Sequence, residues 1–232
     1  MMERSRPRRV HPRGRGFTEE GHTMQLGASQ EFWDDRYRHR PQVWSGEPNG
    51  QLVAVAGDLT PGTALDVGCG EGADAIWLAT RGWDVLGIDV SDVALSRARA
   101  HTGELDPSVA DRLTWRHVDL STSPDLPTDL DLVSVQFLHL ADPERSSVFG
   151  ALATLVGVGG SLLVVAHHPS DLETGIGRPP RAELFYTPDQ IAGLLDDAWD
   201  IRISESRART ERGPDGQAVD VRDTVLHAVR LR

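Results

Sequence analysis

A chain of 232 residues has room for one ordinary α/β domain, and its 39% hydrophobic and 25% charged residues are the balance of a globular protein. No apolar run approaches the ~20 residues that cross a bilayer, which excludes a membrane-spanning helix. A lone cysteine, Cys69, excludes an internal disulfide and a cysteine-based zinc site. The net charge of −11 is uneven: Arg4, Arg6, Arg8, Arg9, Arg13 and Arg15 stand against Glu3, Glu19 and Glu20 in residues 1–23, so the rest carries −14. An acidic body repels a phosphate backbone, so no nucleic-acid partner is expected. Residues 1–23 read as a disordered arginine-rich arm, or a leader ahead of a start at Met24, with residues 24–232 as the working domain. Arg8-Arg9 is not followed by the apolar stretch of an export signal, which points to the cytoplasm.

Past Met24, short apolar runs alternate with helical patterns, the signature of a parallel sheet covered by helices. Phe32, Trp33, Arg36 and Tyr37 have helical spacing within 28–39, and Pro41 ends that helix. A second short helix falls near 50–57. Strands follow at 63–67 and 84–89, with a helix over 71–81 between them and Gly82 ending it. Ser91 caps a helix over 92–101. Residues 113–118 and 131–135 read as strands three and four, and Pro143 opens a helix over 143–156. Gly159-Gly160 turns into a fifth strand over 161–166. The glycine- and proline-rich stretch 167–186 reads as a long loop, and Thr187-Pro188 opens a helix to about 197. Runs at 199–206 and 219–231 flank Gly213-Pro-Asp-Gly216 as an antiparallel hairpin.

The decisive stretch is Ala64-Leu-Asp-Val-Gly-Cys-Gly-Glu-Gly72, which leaves a strand and opens a helix. Glycines at 68, 70 and 72 let the backbone turn sharply and a ligand approach closely. Seventeen residues past Gly72, Asp89 ends the second strand, where a carboxylate accepts from the two hydroxyls of a ribose. Gly68-x-Gly70-x-x-Ala73 also satisfies the dinucleotide fingerprint, so the motif alone permits NAD. Two features argue against NAD. Asp66 puts a charge at the strand end, where it can meet a cationic ligand, and no second domain remains for hydride transfer.

Leu65-Asp-Val-Gly-Cys-Gly-Glu-Gly72 resembles the signature loop of class I S-adenosylmethionine (SAM)-dependent methyltransferases. The acidic strand end Gly87-Ile-Asp89, the step Val118-Asp119-Leu120 and the turn Gly159-Gly160-Ser161 match in order. One departure is Val158, where the family has proline. Phe32-Trp-Asp-Asp-Arg-Tyr37, with Trp44 and Pro48-Asn49, is similar to small-molecule enzymes of the thiopurine and tellurite-resistance type. The resemblance implies SAM as cofactor, held by Gly68, Gly70 and Gly72 along its amino-acid and ribose portion. Asp66 then lies near the methionine amino group, Asp89 holds the ribose diol, and Asp119 with Leu120 takes the adenine. Gln136 reaches the methionine end and Cys69 contributes only backbone, while Trp44, by its own chemistry, either walls the site facing the sulfonium or packs in the core.

The expected fold is a single doubly wound, Rossmann-like α/β domain. Its seven-stranded sheet has the order 3-2-1-4-5-7-6 with the last strand antiparallel, under an N-terminal helical lid. Ligands bind such sheets at the carboxyl ends of the strands. His139 follows strand four and His167-His168 end strand five, so His139 and His167 are the candidate catalytic residues, as base or substrate contact. Loop histidines bonded to nearby backbone are the plain alternative. Three histidines with Asp171 also suit zinc in principle, but adjacent rings rarely share one ion, and no metal is expected. Trp33 and Tyr37 either wall the site or pack in the core. The expected function is methyl transfer from SAM to a small molecule, against two rivals, an NAD-dependent reductase and a non-catalytic SAM-binding module. Neither the acceptor nor the oligomeric state is legible.

Overall fold

The computed structural model describes residues 29–176, 178, 181–213 and 215–232. The arm expected at 1–23 lies outside the described residues. A seven-stranded sheet runs through the molecule in the order β3-β2-β1-β4-β5-β7-β6, as expected. Strands β1 (Thr63–Val67), β2 (Asp84–Asp89), β3 (Leu113–His117), β4 (Leu130–Gln136) and β5 (Val156–His167) are mutually parallel. Strand β7 (Ala218–Arg230) runs antiparallel to both β5 and β6 (Trp199–Arg212).

Side chains alternate across a strand, so a sheet covered on both faces needs apolar residues at consecutive positions. Leu65, Val67, Val133, Val135, Leu162 and Val164 pack on one face against Val148, Phe149 and Leu152 of α6 (Glu144–Thr154). Ala64, Leu132, Leu163 and Val165 pack on the other, against Leu52 and Val55 of α2 (Gly50–Ala56) and Ala75 and Leu78 of α3 (Ala73–Thr80). The strand order reverses between β1 and its neighbours β2 and β4, which opens a crevice at their carboxyl ends.

Above that crevice lies α1 (Gln30–Arg38), capped by Ser29. It is docked by Asp34, whose Oδ1 accepts from the Ser91 hydroxyl at 2.7 Å and the Val93 amide at 3.2 Å. Ser91 in turn caps α4 (Asp92–Thr102). A four-residue helix α5 (Pro107–Ala110) precedes β3, and α7 (Pro188–Ala192) precedes the hairpin.

Several boundaries depart from expectation, among them the end of β6, which runs to Arg212 instead of 206. Strand β5 starts five residues before Ser161, because Gly159, at φ 84°, forms a bulge within the strand instead of a turn before it. The register shifts there, with Leu130 opposite Val156 and Leu132 opposite Ser161. Helix α7 has a full Thr187–Gln190 capping box yet stops at Gly193, after which Leu194 and Leu195 close only single turns. The stretch 167–186 is not wholly irregular, since 3-10 turns form at Pro169–Glu173 and Ala182–Leu184.

Candidate active site

The loop after β1 is built from three left-handed glycines, at φ 70° (Gly68), 54° (Gly70) and 92° (Gly72), a region that β-carbons disfavour. Their surroundings separate their duties. A β-carbon on Gly68 meets nothing within 4 Å, so this glycine faces open space. One on Gly70 comes 2.9 Å from the Tyr37 hydroxyl and 3.3 Å from Trp44 Nε1, so the lid lies directly over it. One on Gly72 comes 2.7 Å from Trp115. The Cα face of Gly72 thus packs against Trp115, which leaves only its backbone to meet a ligand.

Asp89 organises the loop from β2. Its Oδ2 accepts from the Gly70 amide at 2.9 Å and its Oδ1 from the Ser91 amide at 2.8 Å. Each oxygen keeps a lone pair for a further donor. Burial raises the Asp89 pKa, and these amides oppose the rise.

Among the described residues, several buried polar atoms without a hydrogen-bond partner gather at the carboxyl ends of β1, β4 and β5. They are Asp66 Oδ2, Gln136 Oε1, His139 Nε2 and His167 Nδ1. An orphaned buried polar group costs about 1–3 kcal/mol, so four together mark a place where the fold holds groups ready for a ligand. Asp66 is 1% exposed, and burial first, then the charges of Asp74 and Asp89, pushes its pKa well above the usual carboxylate range. Asp74, whose Oδ1 accepts from the Asn49 amide at 2.6 Å, is pushed by burial to about 6. A raised pKa favours the protonated carboxyl, and a positive charge beside the pair restores the carboxylate form. A SAM ammonium supplies that charge, and the open face of Gly68 supplies the space, so these residues fit the group.

Gln136 donates from Nε2 to the Ser134 hydroxyl at 2.9 Å, which leaves Oε1 free at the end of β4. Phe137 follows at φ 54°, a left-handed position for a bulky side chain. Its ring lies 4.5 Å from that of His167. The rings of His139 and His167 stack at 5.1 Å and 14°, with Phe185 5.7 Å from His139. His139 Nδ1 lies 3.2 Å from the Leu184 carbonyl oxygen, which only accepts, so Nδ1 carries the proton and Nε2 a lone pair. Burial holds the His139 pKa at about 4. Burial and the Arg178 charge hold that of His167 at about 2. Both rings are neutral at physiological pH.

The remaining expected residues divide. Trp44 is 46% exposed and donates from Nε1 to Tyr37 Oη at 2.8 Å, which places it over the loop at Gly70. Tyr37 is buried, whereas Trp33 is half-buried. Asp119 caps a 3-10 turn at Leu120–Thr122, accepting from the Ser121 amide at 2.9 Å and hydroxyl at 2.7 Å, and Leu120 packs on the core edge. An open groove lined by Arg116, Asp119 and Asp125 runs beside it. His168 caps the turn at Pro169–Glu173 through Ser170, and Asp171 is taken by Arg178 at 3.3 Å and the Arg222 amide at 2.8 Å. The imagined zinc set is thus dispersed, and no metal-ligating cluster forms among the described residues. Sequence reading passed over Glu71, Asp74, Arg97, Phe137 and Phe185. Glu71 stood inside the quoted motif, and Phe137 sat beside Gln136.

Comparison with known proteins agrees with this architecture. Residues 64–160 match the methyltransferase domain family. The ubiquinone biosynthesis O-methyltransferase of Alkalilimnicola ehrlichii is 36% identical over 162 residues, 68% of this chain and 60% of that relative. The chain thus spans about three fifths of that relative's length. A structure solved for the conversion of a disulfide bond into a thioacetal group during echinomycin biosynthesis superposes with a TM-score of 0.67 at 22% identity, covering 87% of this chain and 91% of that one. TehB from Haemophilus influenzae gives 0.62 at 16% identity, covering 87% and 66%. These two likenesses show the fold alone. The match over residues 64–160, with the glycine loop, Asp89 and the sheet order, supports a class I SAM-dependent methyltransferase.

Proposed function

We propose that the protein transfers the methyl group of SAM to a small-molecule acceptor and releases S-adenosylhomocysteine. The observation that carries this reading is the set of unpartnered buried atoms Asp66 Oδ2, Gln136 Oε1, His139 Nε2 and His167 Nδ1 at the carboxyl ends of β1, β4 and β5. Asp89 holds the ribose, Asp66 and Gln136 the methionine end, Gly68 and Gly70 the backbone between them, and Asp119 with Leu120 the adenine. When bound, SAM supplies a methyl carbon made electrophilic by the attached sulfonium. This chain's residues align the acceptor, exclude water and take its proton. Alignment alone is worth roughly 7–11 kcal/mol in well-oriented reactions.

His139 Nε2 accepts the acceptor's proton, while Nδ1–H stays on the Leu184 carbonyl and fixes the ring. His167, stacked beside it, is the second contact. The walls made by Phe137, Phe185 and the lid's Trp44 suit a compact, partly apolar acceptor. The name of the Alkalilimnicola relative favours an oxygen nucleophile. The acidic body supports a reading with no nucleic-acid partner, and no helix among the described residues is long and apolar enough to cross a membrane. A single buried thiol supports work in the reducing cytoplasm.

Release of S-adenosylhomocysteine from a panel of phenols, thiols, amines and halides tests the reading. The expected result is release with at least one class, oxygen acceptors foremost. SAM binding with no release across the panel would favour the non-catalytic module.

A further inference from the structure

The lid between α1 and α2 has no regular structure, yet its backbone is held by two side chains of the body. Glu71 Oε2 accepts from the amides of Val43 and Trp44, each at 3.2 Å. Arg97 of α4 donates from Nη2 to the carbonyls of Tyr37 at 2.5 Å and Arg40 at 2.7 Å. The two side chains are joined to each other, Nη1 to Oε1, at 2.8 Å, with Glu71 8% and Arg97 23% exposed. Glu71 sits between Gly70 and Gly72, so the residue that grips the lid belongs to the loop that cradles the cofactor. The tip it grips carries Trp44, whose indole donates to Tyr37 Oη directly above Gly70.

We infer that Glu71 and Arg97 are positioning residues forming a latch, which holds the lid closed on the glycine loop and sets how fast the cofactor leaves. The inference rests on the reading of this site as a SAM site. Four lid backbone groups depend on one charge-paired unit, so no part of the 37–44 segment lifts without breaking charge-assisted hydrogen bonds in a half-desolvated place. Loop and lid consequently move together, and a cofactor seated on Gly68 and Asp89 leaves only when the latch opens.

The test uses Glu71→Gln, which keeps an acceptor for the two amides but loses the ion pair, and Arg97→Lys, whose single ammonium lacks the planar fork that reaches two carbonyls and a carboxylate together. S-adenosylhomocysteine dissociation, followed by stopped flow, is expected to speed up about 10- to 100-fold in both. In the cofactor-free proteins, the amides of Val43 and Trp44 are expected to lose hydrogen-exchange protection, while amides of the β4–β5 core keep theirs. The KM for SAM is expected to rise more than kcat falls, a split that a general loss of folding would not produce. Wild-type dissociation rates together with wild-type protection at Val43 and Trp44 would overturn the latch. The exchange measurement needs no ligand, so it reads the latch even if the wild-type protein fails to bind S-adenosylhomocysteine, a failure that would instead count against the site reading.

Discussion

Replacing Asp89 with alanine is expected to lower S-adenosylhomocysteine affinity roughly 10- to 100-fold, the equivalent of about 1.5–3 kcal/mol for hydrogen bonds to a charged group. Two losses add. The ribose hydroxyls lose their acceptor, and the Gly70 amide loses the Oδ2 that holds it at 2.9 Å, so the left-handed turn at Gly70 is less well defined. The Ser91 amide is released at the same time, but Ser91 Oγ still caps α4 by accepting from the Ala94 amide at 3.1 Å, so the fold should persist. Asp89→Asn separates the two effects, because its remaining carbonyl oxygen can still accept from Gly70 while the charge is gone. It should bind more weakly than wild type and more tightly than Asp89→Ala in titration calorimetry. Unchanged affinity in both would remove Asp89 from the site.

The second large effect is expected at His139. His139→Ala should lower turnover about 100-fold with little change in S-adenosylhomocysteine affinity, since the ring is proposed as an acceptor contact and not a cofactor contact. General bases contribute roughly 10²–10⁴-fold, most when their pKa lies near the working pH. A ring held at about 4 by burial is a weak base, which places the effect at the low end of that range. It is also unprotonated throughout pH 6–9, so the rate should show no inflection from His139 there, and any rise with pH belongs to the acceptor. A wild-type rate in His139→Ala would sink the base assignment and leave alignment as the source of catalysis, with His167→Ala as the companion measurement.

The same shift has a stability consequence with a definite sign. Above pH 6.5 both folded and unfolded states hold His139 neutral. As pH falls from 6.5 toward 4 the unfolded chain takes up a proton that the folded chain refuses, so stability is lost across that window. At ~1.4 kcal/mol per unit the loss approaches roughly 3 kcal/mol. His139→Ala should flatten this part of the stability–pH curve.

Local signals carried much of the fold. The ends of β1 and β2 match their expected bounds because each is an apolar run closed by residues that stop it, Gly68 after one and the Ser91 cap after the other. Convergence of His139 and His167 was legible because β4 and β5 are adjacent in the expected order. The early start of β5 was not, since a glycine pair reads equally as a turn or as a bulge, and only the pairing of Val156 with Leu130 decides. The lid's anchorage was also hidden. Glu71 reaches amides 27 and 28 positions away and Arg97 a carbonyl 60 away, and no local pattern reports contacts at that separation. The packing of Gly72 against Trp115 was hidden for the same reason, because Trp115 lies far along the chain.

The crevice at the ends of β1, β2 and β4 is proposed as a SAM site. Calorimetric titration of the wild-type protein with S-adenosylhomocysteine, and separately with NAD, addresses it most directly. Saturable one-to-one binding of S-adenosylhomocysteine, weakened in Asp89→Ala, with no heat from NAD, is the predicted result. Binding of NAD with no binding of S-adenosylhomocysteine would contradict it.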